Sequence, residues 1–411
     1  MDHGDMVQPN PPSRASQNRL ALFLGTSAQM VVTLFVIRVI IDTGTRMVYP
    51  YSPQLAEGLK LGVPAFSWLI SIRSWVGLAG PLFGIAADRF GQKRLMQLGM
   101  LAQVVGLISL LFLSGWGALV SMVLLGVASS ALVPAQQAFI SDQVPYERRG
   151  RAIALVDMSF ATAGVLAMPI FGLLLERWGW RMPIGVLTAL SMFGLFLLWR
   201  VLPASSHPAR AVADRLRLAQ VPAMLARRNI IASILSTVLL FFAFGSFVTI
   251  WSIWLHDAFK LDAVAIGLVA TLTGLAELAG VLLSAMFIDR VGKRRGVLTA
   301  LGLATLMFGL WMAVQGDFEA SRAVIVILGA LLELSIVSLF PLLAEQLPES
   351  RAMLFSLAGL GASCGLALGS PVAVALWQWS GLTAVGVTCI VALLAVVVLV
   401  SRYLHSGPPG H

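Results

Sequence analysis

Runs of about twenty consecutive apolar residues recur from one end of this chain to the other, and no soluble core can absorb them all. A helix rises 1.5 Å per residue, so about 20 residues cross a hydrocarbon layer of ~30 Å. Twelve such runs are read, with cores at 20–48, 64–87, 95–114, 118–141, 152–175, 182–201, 229–255, 263–287, 297–315, 322–346, 352–376 and 382–403. Leu, Ala, Gly and Met dominate them, without the period-two alternation of a transmembrane barrel, which leaves a bundle of membrane-spanning helices. The fold class is therefore an all-α membrane protein.

Charge then orients the bundle. The formal net charge is +9, which in a soluble chain would suggest nucleic acid. With the N-terminus placed in the cytoplasm, twenty of the 28 Lys and Arg fall in cytoplasmic segments and five in outer loops (Lys60, Arg177, Arg181, Lys260 and Arg322). That bias follows the positive-inside rule and predicts both termini in the cytoplasm, with the excess charge setting topology and no nucleic-acid partner. Residues 1–19 read as a short polar tail, since the first apolar run is too long for a signal peptide and ends without a cleavage site. The only cysteines, Cys364 and Cys389, lie inside spans, and the five histidines are scattered. Neither a disulfide framework nor a metal site is expected.

The chain is also written twice. Gly84-x-x-x-Asp88-Arg89-x-Gly91 is shadowed by Ala285-x-x-x-Asp289-Arg290-x-Gly292, 201 residues on. "DQVPYE" (Asp142–Glu147) is echoed by "EQLPE" (Glu345–Glu349), and Pro169 by Pro371, at offsets of 203 and 202. The longest polar interruption follows span six. The expected organisation is a six-helix bundle over 20–202, a linker with an amphipathic segment over 203–228, a second bundle over 229–404 and a tail over 405–411. Parallel six-span repeats are a transporter architecture, with the pathway between the halves.

These residues resemble the major facilitator superfamily. Its signature between spans two and three is Gly-x-x-x-Asp-Arg-x-Gly followed by bases, here Gly84, Asp88, Arg89, Gly91, Gln92, Lys93 and Arg94. The weaker copy after span eight is Asp289, Arg290, Gly292, Lys293 and Arg294, and "ERRGRA" enters span five. The resemblance covers residues 20–404 and implies two pseudo-symmetric six-helix bundles. It also implies a latch: Gly84 lets a neighbouring helix approach, and Asp88 sits at the positive N-terminus of span eleven near Arg351 when the cytoplasmic side is closed. The opposing reading makes the motif a topology signal only. Gln92 stands where the family has a base, leaving the usual ion pair to the acid at the end of span four, here Asp142, without its cation.

Seven ionisable residues lie inside spans: Arg38, Asp42 and Arg46 in span one, Arg73 in span two, Asp157 in span five, Glu277 in span eight and Glu333 in span ten. Each costs roughly 2.5–3.5 kcal/mol at a span centre, so each needs a reason. In the family's fold none of these spans faces lipid. Arg38, Asp42 and Arg46 are spaced by four and share a helix face; they form either a functional set or a structural ion network, with Arg46 read as near the outer surface. Asp157 reads as structural. Glu277 and Glu333 have no base on their own helices, and burial without a cation favours the neutral acid, as a proton carrier requires. Glu333, Glu277 and Asp42 are thus the proton-coupling candidates, and Arg38 and Arg73 are substrate or cavity candidates.

Phe244, Phe247, Trp251 and Trp254 recur at helical spacing in span seven. The stripe is either packing or, for Phe244, Phe247 and Trp251, the wall of a cavity for a lipophilic substrate. Two features depart from the family's proton-driven drug exporters: Met122 stands where an Arg precedes Gly126, and "GVLAMPIFG" carries their span-five Gly-Pro only in part. The expectation is a monomeric secondary transporter of the inner membrane, driven by a proton or other ion gradient without a cofactor. Its partners are the bilayer and a small molecule, foremost an amphipathic compound exported against protons. The alternatives are a sugar, organic anion or other metabolite, or a lipid. No catalytic triad, metal cluster or nucleotide motif points to an enzyme.

Overall fold

In hydrocarbon every backbone N–H and C=O must be paired within the protein, and a helix does so within itself. The computed structural model describes residues 28–113, 115–203, 227–347 and 351–405, and contains no strand among them. Ten helices in it are long and apolar enough to cross a membrane. The last, Met353–Tyr403, has 51 residues and breaks at Ser380 and Gly381, where the glycine takes a positive φ of 70°; it is two spans. With Ala28–Arg46 ahead of the ten, the crossings number twelve, as the sequence predicts.

The first half comprises α1 (Ala28–Arg46), α2 (63–90), α3 (Gln92–Phe112), α4 (Gly115–Gln143), α5 (146–178) and α6 (Arg181–Arg200). The second comprises α7 (Arg228–Phe259), α8 (Ala263–Val291), α9 (Lys293–Ala313), α10 (Phe318–Gln346), α11 (351–379) and α12 (382–403). The tail over 1–19, the interior of the linker over 203–228 and residues 406–411 lie outside the described residues. An even number of crossings puts both ends of the described chain at one face, called here the termini face; the other is the far face.

Small residues set how close the helices come. A Cβ on Gly365 of α11 would stand 2.3 Å from the Val238 carbonyl oxygen of α7, and one on Gly369 would stand 2.6 Å from that of Phe242. The two helices touch backbone to backbone, and Ser246 Oγ donates to the Gly369 carbonyl across the seam at 3.2 Å. Gly280 brings α8 onto α10 in the same way, its missing Cβ facing the Ala330 oxygen at 2.5 Å. Without a hydrophobic drive between helices in lipid, this close packing is what associates them.

Among the described residues, the contacts between the halves run from the far side to the middle of the bundle. Ser71 Oγ of α2 donates to the Ala367 carbonyl of α11. A Cβ on Gly77 would meet Ser363 Oγ at 2.7 Å, whereas on Gly80, Gly84 or Gly359 it would meet nothing within 4 Å. On α8, Gly274 lies against Gly164 of α5 (3.3 Å from a built Cβ), and the Ala263 N–H donates to Glu176 Oε2 at 3.1 Å. The halves therefore meet at the far face and part toward the termini face.

The connection from α1 to α2 seals the far face. Residues 47–61 fold inward with a short helix, Ser52–Gly58, and Met47, Val48, Tyr51 and Leu55 are buried. The Tyr51 hydroxyl donates to the Met168 carbonyl in a notch between Gly172 and Gly267, one glycine from each half. Ser252 Oγ of α7 donates to the Tyr49 carbonyl at 2.9 Å. A pair of glycine substitutions tests the packing. Gly365→Ala should lower thermal stability in detergent by about 1–3 kcal/mol, since backbone atoms cannot yield. Gly302→Ala in α9, with open space at its Cβ, should leave the melting temperature unchanged or slightly raised.

Candidate functional site

Just inside the far-face seal lies a cavity of about 50 Å³, walled by both halves. Its polar wall is Arg46 of α1 and Glu277 of α8, joined by an ion pair, Nη1 to Oε2, at 2.7 Å. Both side chains are nearly buried, at 12% and 7% exposed. The sequence placed Arg46 near the outer surface; the inward-folded connection after α1 instead covers it. Local sequence also makes its seat. Pro169 cannot donate a hydrogen bond and crowds the turn before it, and that turn, Ala163–Ala167, is widened to a π turn. Gly164 within it leaves room for the guanidinium, only 3.2 Å from where a Cβ would stand. Phe160, a turn earlier, places its ring 4.3 Å from the guanidinium carbon, a cation–π contact.

Glu333 of α10 is not on the cavity wall but lies within electrostatic range of Glu277 and Arg46. Two carboxylates of the second half thus share one arginine of the first. Asp42 and Arg38 form a separate cluster toward the termini face. Arg38 Nε donates to Asp42 Oδ1 at 3.2 Å, and its Nη1 lies 3.3 Å from Asp157 Oδ1 and 3.5 Å from Gln136 Oε1. Ser159 Oγ donates to Asp42 Oδ2 at 2.6 Å. Asp157, expected to be structural, closes this cluster with its side chain 42% exposed. Arg73 stands behind the cavity: its guanidinium donates to the Thr45 carbonyl at 2.7 Å and to Tyr49 Oη at 3.0 Å. No carboxylate pairs with it among the described residues.

Of the aromatic stripe, Phe244, Phe247 and Trp251 line the cavity. Trp254 does not. Ten residues of helix rotate it by about 80° from Phe244, and it packs edge-to-face with Trp311 and Phe259, centroids 5.5 and 5.4 Å away. Phe247 serves both surfaces, since it also meets Trp311 edge-on at 6.1 Å. Tyr49, Phe160 and Met168 also line it, and the sequence reading missed them. Their only signal was position: Tyr49 follows span one, and Phe160 and Met168 flank the Gly164–Pro169 stretch.

The repeated charged motif fastens each half to itself. Gly91 and Gly292 both take φ of 90°, a backbone open to glycine almost alone. The following residue reaches the end of the fourth span of its half: Gln92 Nε2 donates to Asp142 Oδ2 at 2.6 Å, and Lys293 Nζ pairs with Glu345 Oε1 at 2.5 Å. Gln92 therefore keeps with a neutral donor the contact that the second half makes as an ion pair. The next base caps the sixth span, Lys93 on the carbonyls of Trp199 and Leu202, Arg294 on that of Ser401, where a cation complements the helix dipole. Arg89 is exposed over Phe90, and Arg94 is exposed. The side chains of Asp88, Asp289, Arg290 and Arg351 lie outside the described ones. Gly84 faces open space, so the expected approach of α11 to it is not made in this conformation.

The family model of the Major Facilitator Superfamily matches residues 34–251 and 233–411. The chain belongs to the major facilitator superfamily. Multidrug resistance protein MdtG of Proteus mirabilis is 25% identical over 303 residues, covering 70% of this chain and 73% of that protein. The MFS-type transporter YwfA of Bacillus subtilis is 24% identical over 375 residues, covering 88% and 89%. Among solved structures, a D-xylose-proton symporter superposes with a TM-score of 0.74 at 14% identity, over 92% of this chain and 98% of that one. A peptide transporter, POT, bound to alafosfalin gives 0.73 at 16% identity, over 95% and 100%. These structures share the superfamily's fold; the chain is an integral membrane transporter of it.

In this superfamily member, Phe244 belongs to the cavity and Trp254 to the packed scaffold. Trp254→Ala should cost about 3–5 kcal/mol of stability by emptying a packed cluster. Phe244→Ala, half-buried on the cavity wall, should leave thermal stability within about 1 kcal/mol while weakening substrate transport. Melting curves and uptake assays on the same preparations check both.

Proposed function

We propose that this transporter exports a small amphipathic compound across the bacterial inner membrane in exchange for protons, with both termini in the cytoplasm and no cofactor. The observation that carries the reading is the cavity itself. One wall is aromatic (Phe160, Phe244, Phe247, Trp251) and the other holds Glu277 and Arg46, with Glu333 beside them. Apolar surface with a few convergent charges suits an amphipathic ligand, and clustered carboxylates in a membrane interior suit proton movement. The Lys and Arg distribution favours the termini face as the cytoplasmic one. The halves, which part toward the termini face, then part on the cytoplasmic side, the side from which an exporter loads. MdtG's name as a multidrug resistance protein agrees with this direction.

An anionic substrate is the second reading, favoured by Arg73, whose charge beside Tyr49 has no carboxylate partner among the described residues. Proteoliposomes loaded with a pH-sensitive dye and challenged with a panel of cationic, neutral and anionic compounds separate the two. Proton release triggered by amphipathic cations or neutral compounds supports the first; a response confined to anions supports the second; no proton movement with any class rejects proton coupling. In the responsive case, Glu277→Gln should abolish gradient-driven accumulation while downhill exchange survives, because the variant keeps the shape of the acid and removes its titration. Unimpaired accumulation would take Glu277 out of the coupling path.

A further inference from the structure

Charge inside the spans is divided unequally between the halves. The first half holds Arg38, Arg46 and Arg73 against Asp42 and Asp157. Away from the span ends, where Glu345 pairs with Lys293, the second holds Glu277 and Glu333, and its spans contain no Lys, Arg or His from 229 to 255, 263 to 287, 297 to 315, 323 to 346 or 352 to 401. Three cations thus meet four carboxylates, and the interior is neutral when one carboxyl carries a proton. Arg46 is the cation that the first half lends to the second, through the 2.7 Å pair to Glu277.

We propose that Arg46 is a coupling residue with two carboxylate partners: it holds Glu277 while the far face is closed and moves to Asp42 when that face opens. Each opening leaves Glu277 without a cation, and it takes one proton from the water on that side; each closing returns Arg46 and sends the proton to the water at the termini face. The inference rests on the proton-coupled reading above and supplies the moving part it lacks.

The pair lies at the position where opening acts on it. It lies on the termini side of the far-face contacts, three residues before Tyr49 with its Ser252 bond and deeper along α8 than Ala263 with its Glu176 bond, and Arg46 and Glu277 belong to opposite halves. Parting the halves there draws α8 away from α1. Asp42 is the alternative in reach, one turn back on the same face, with acid preceding base by four residues, the favoured order. Its oxygens are held by Arg38 and Ser159. Arg38 can release it without being stranded, because Asp157 at 3.3 Å and Gln136 at 3.5 Å remain. The Phe160 ring belongs to the same half as Arg46 and accompanies it in either position.

Among the described residues, no other group can stand in for Arg46. Glu277 is faced by Glu333 from α10, an acid; α5 presents Phe160 and Gly164, and α7 presents Phe247 and Trp251, none of which titrates. Arg73 is committed to the Thr45 carbonyl and Tyr49. A carboxylate stranded in a membrane interior is expensive, so a proton is the remaining means of neutralising Glu277.

The experiment is a distance measurement across the far face in lipid nanodiscs, without substrate. Spin labels are placed at Glu57→Cys and Asp257→Cys, exposed ends of the two halves, with Cys364 and Cys389 changed to Ser. The unsubstituted site should favour the short distance at pH 8 and shift toward the long one at pH 5. Glu277→Gln should favour the long distance at both, changing the closed-to-open ratio by at least about tenfold at pH 8. Asp42→Asn should act with the opposite sign, depleting the long distance at pH 5. Glu277→Asp, a milder change should Glu277→Gln fail to fold, should open the far face in part and keep the pH response. Shifts of the same sign in Glu277→Gln and Asp42→Asn, no shift in either, or a pH response surviving in Glu277→Gln would overturn the proposal. The efflux reading fails separately: a compound panel that moves no protons rejects it even where the distances respond as described.

Discussion

The Arg46–Glu277 ion pair is the interaction on which the arrangement of the two halves turns, because it is the one buried charge contact between them among the described residues. The exposed tie of Gln92 to Asp142 contributes little energy, as surface polar contacts do, generally below about 1 kcal/mol. A buried ion pair is different: removing one partner costs about 3–5 kcal/mol, since the other is left uncompensated where water cannot reach it. Its place just inside the closed face means that whatever opens that face must also resolve the charge.

Several unrelated features of the fold converge on that pair. The missing N–H of Pro169 coincides with the widened turn at Ala163–Ala167, and Gly164 within it admits the guanidinium. Gly274 brings α8 against the same turn, which puts Glu277, one helical turn on, within reach. The inward fold of residues 47–61 covers Arg46 from the far side, and Tyr51 is accommodated only because Gly172 and Gly267 lack side chains. The glycines of the interface are thus spacing elements of a charged site as well as packing devices. Meanwhile the duplicated motif clasps α3 to the ends of α4 and α6, and α9 to those of α10 and α12. Such clasps favour each half moving as a unit.

Much of this was legible in the sequence, for reasons that are local. Twelve apolar runs mean twelve helices because hydrocarbon leaves the backbone no alternative, and the 201-residue echo of Asp88-Arg89-x-Gly91 marks two halves of one plan. The structure adds why the motif keeps its last glycine: Gly91 and Gly292 take φ of 90° in the turn between consecutive helices. Arg38 and Asp42 met as their spacing implied, since residues four apart on a helix are neighbours wherever it sits.

What the sequence by itself determined, then, is everything carried by contacts within a helix or by the repeat of the pattern: the class, the number of spans, the repeat and the Arg38–Asp42 pair. Tertiary structure alone decided the contacts between distant segments. It set Arg46 against Glu277 across 231 positions of chain, turned Trp254 from the cavity into a packed cluster, and drew Tyr49, Phe160 and Met168 into the wall. It also left Gly84 facing open space, because the halves meet at one face and part at the other. Helical periodicity fixes which residues share a face; which face meets which partner depends on the separation of two bundles, and that separation is a property of the assembled fold.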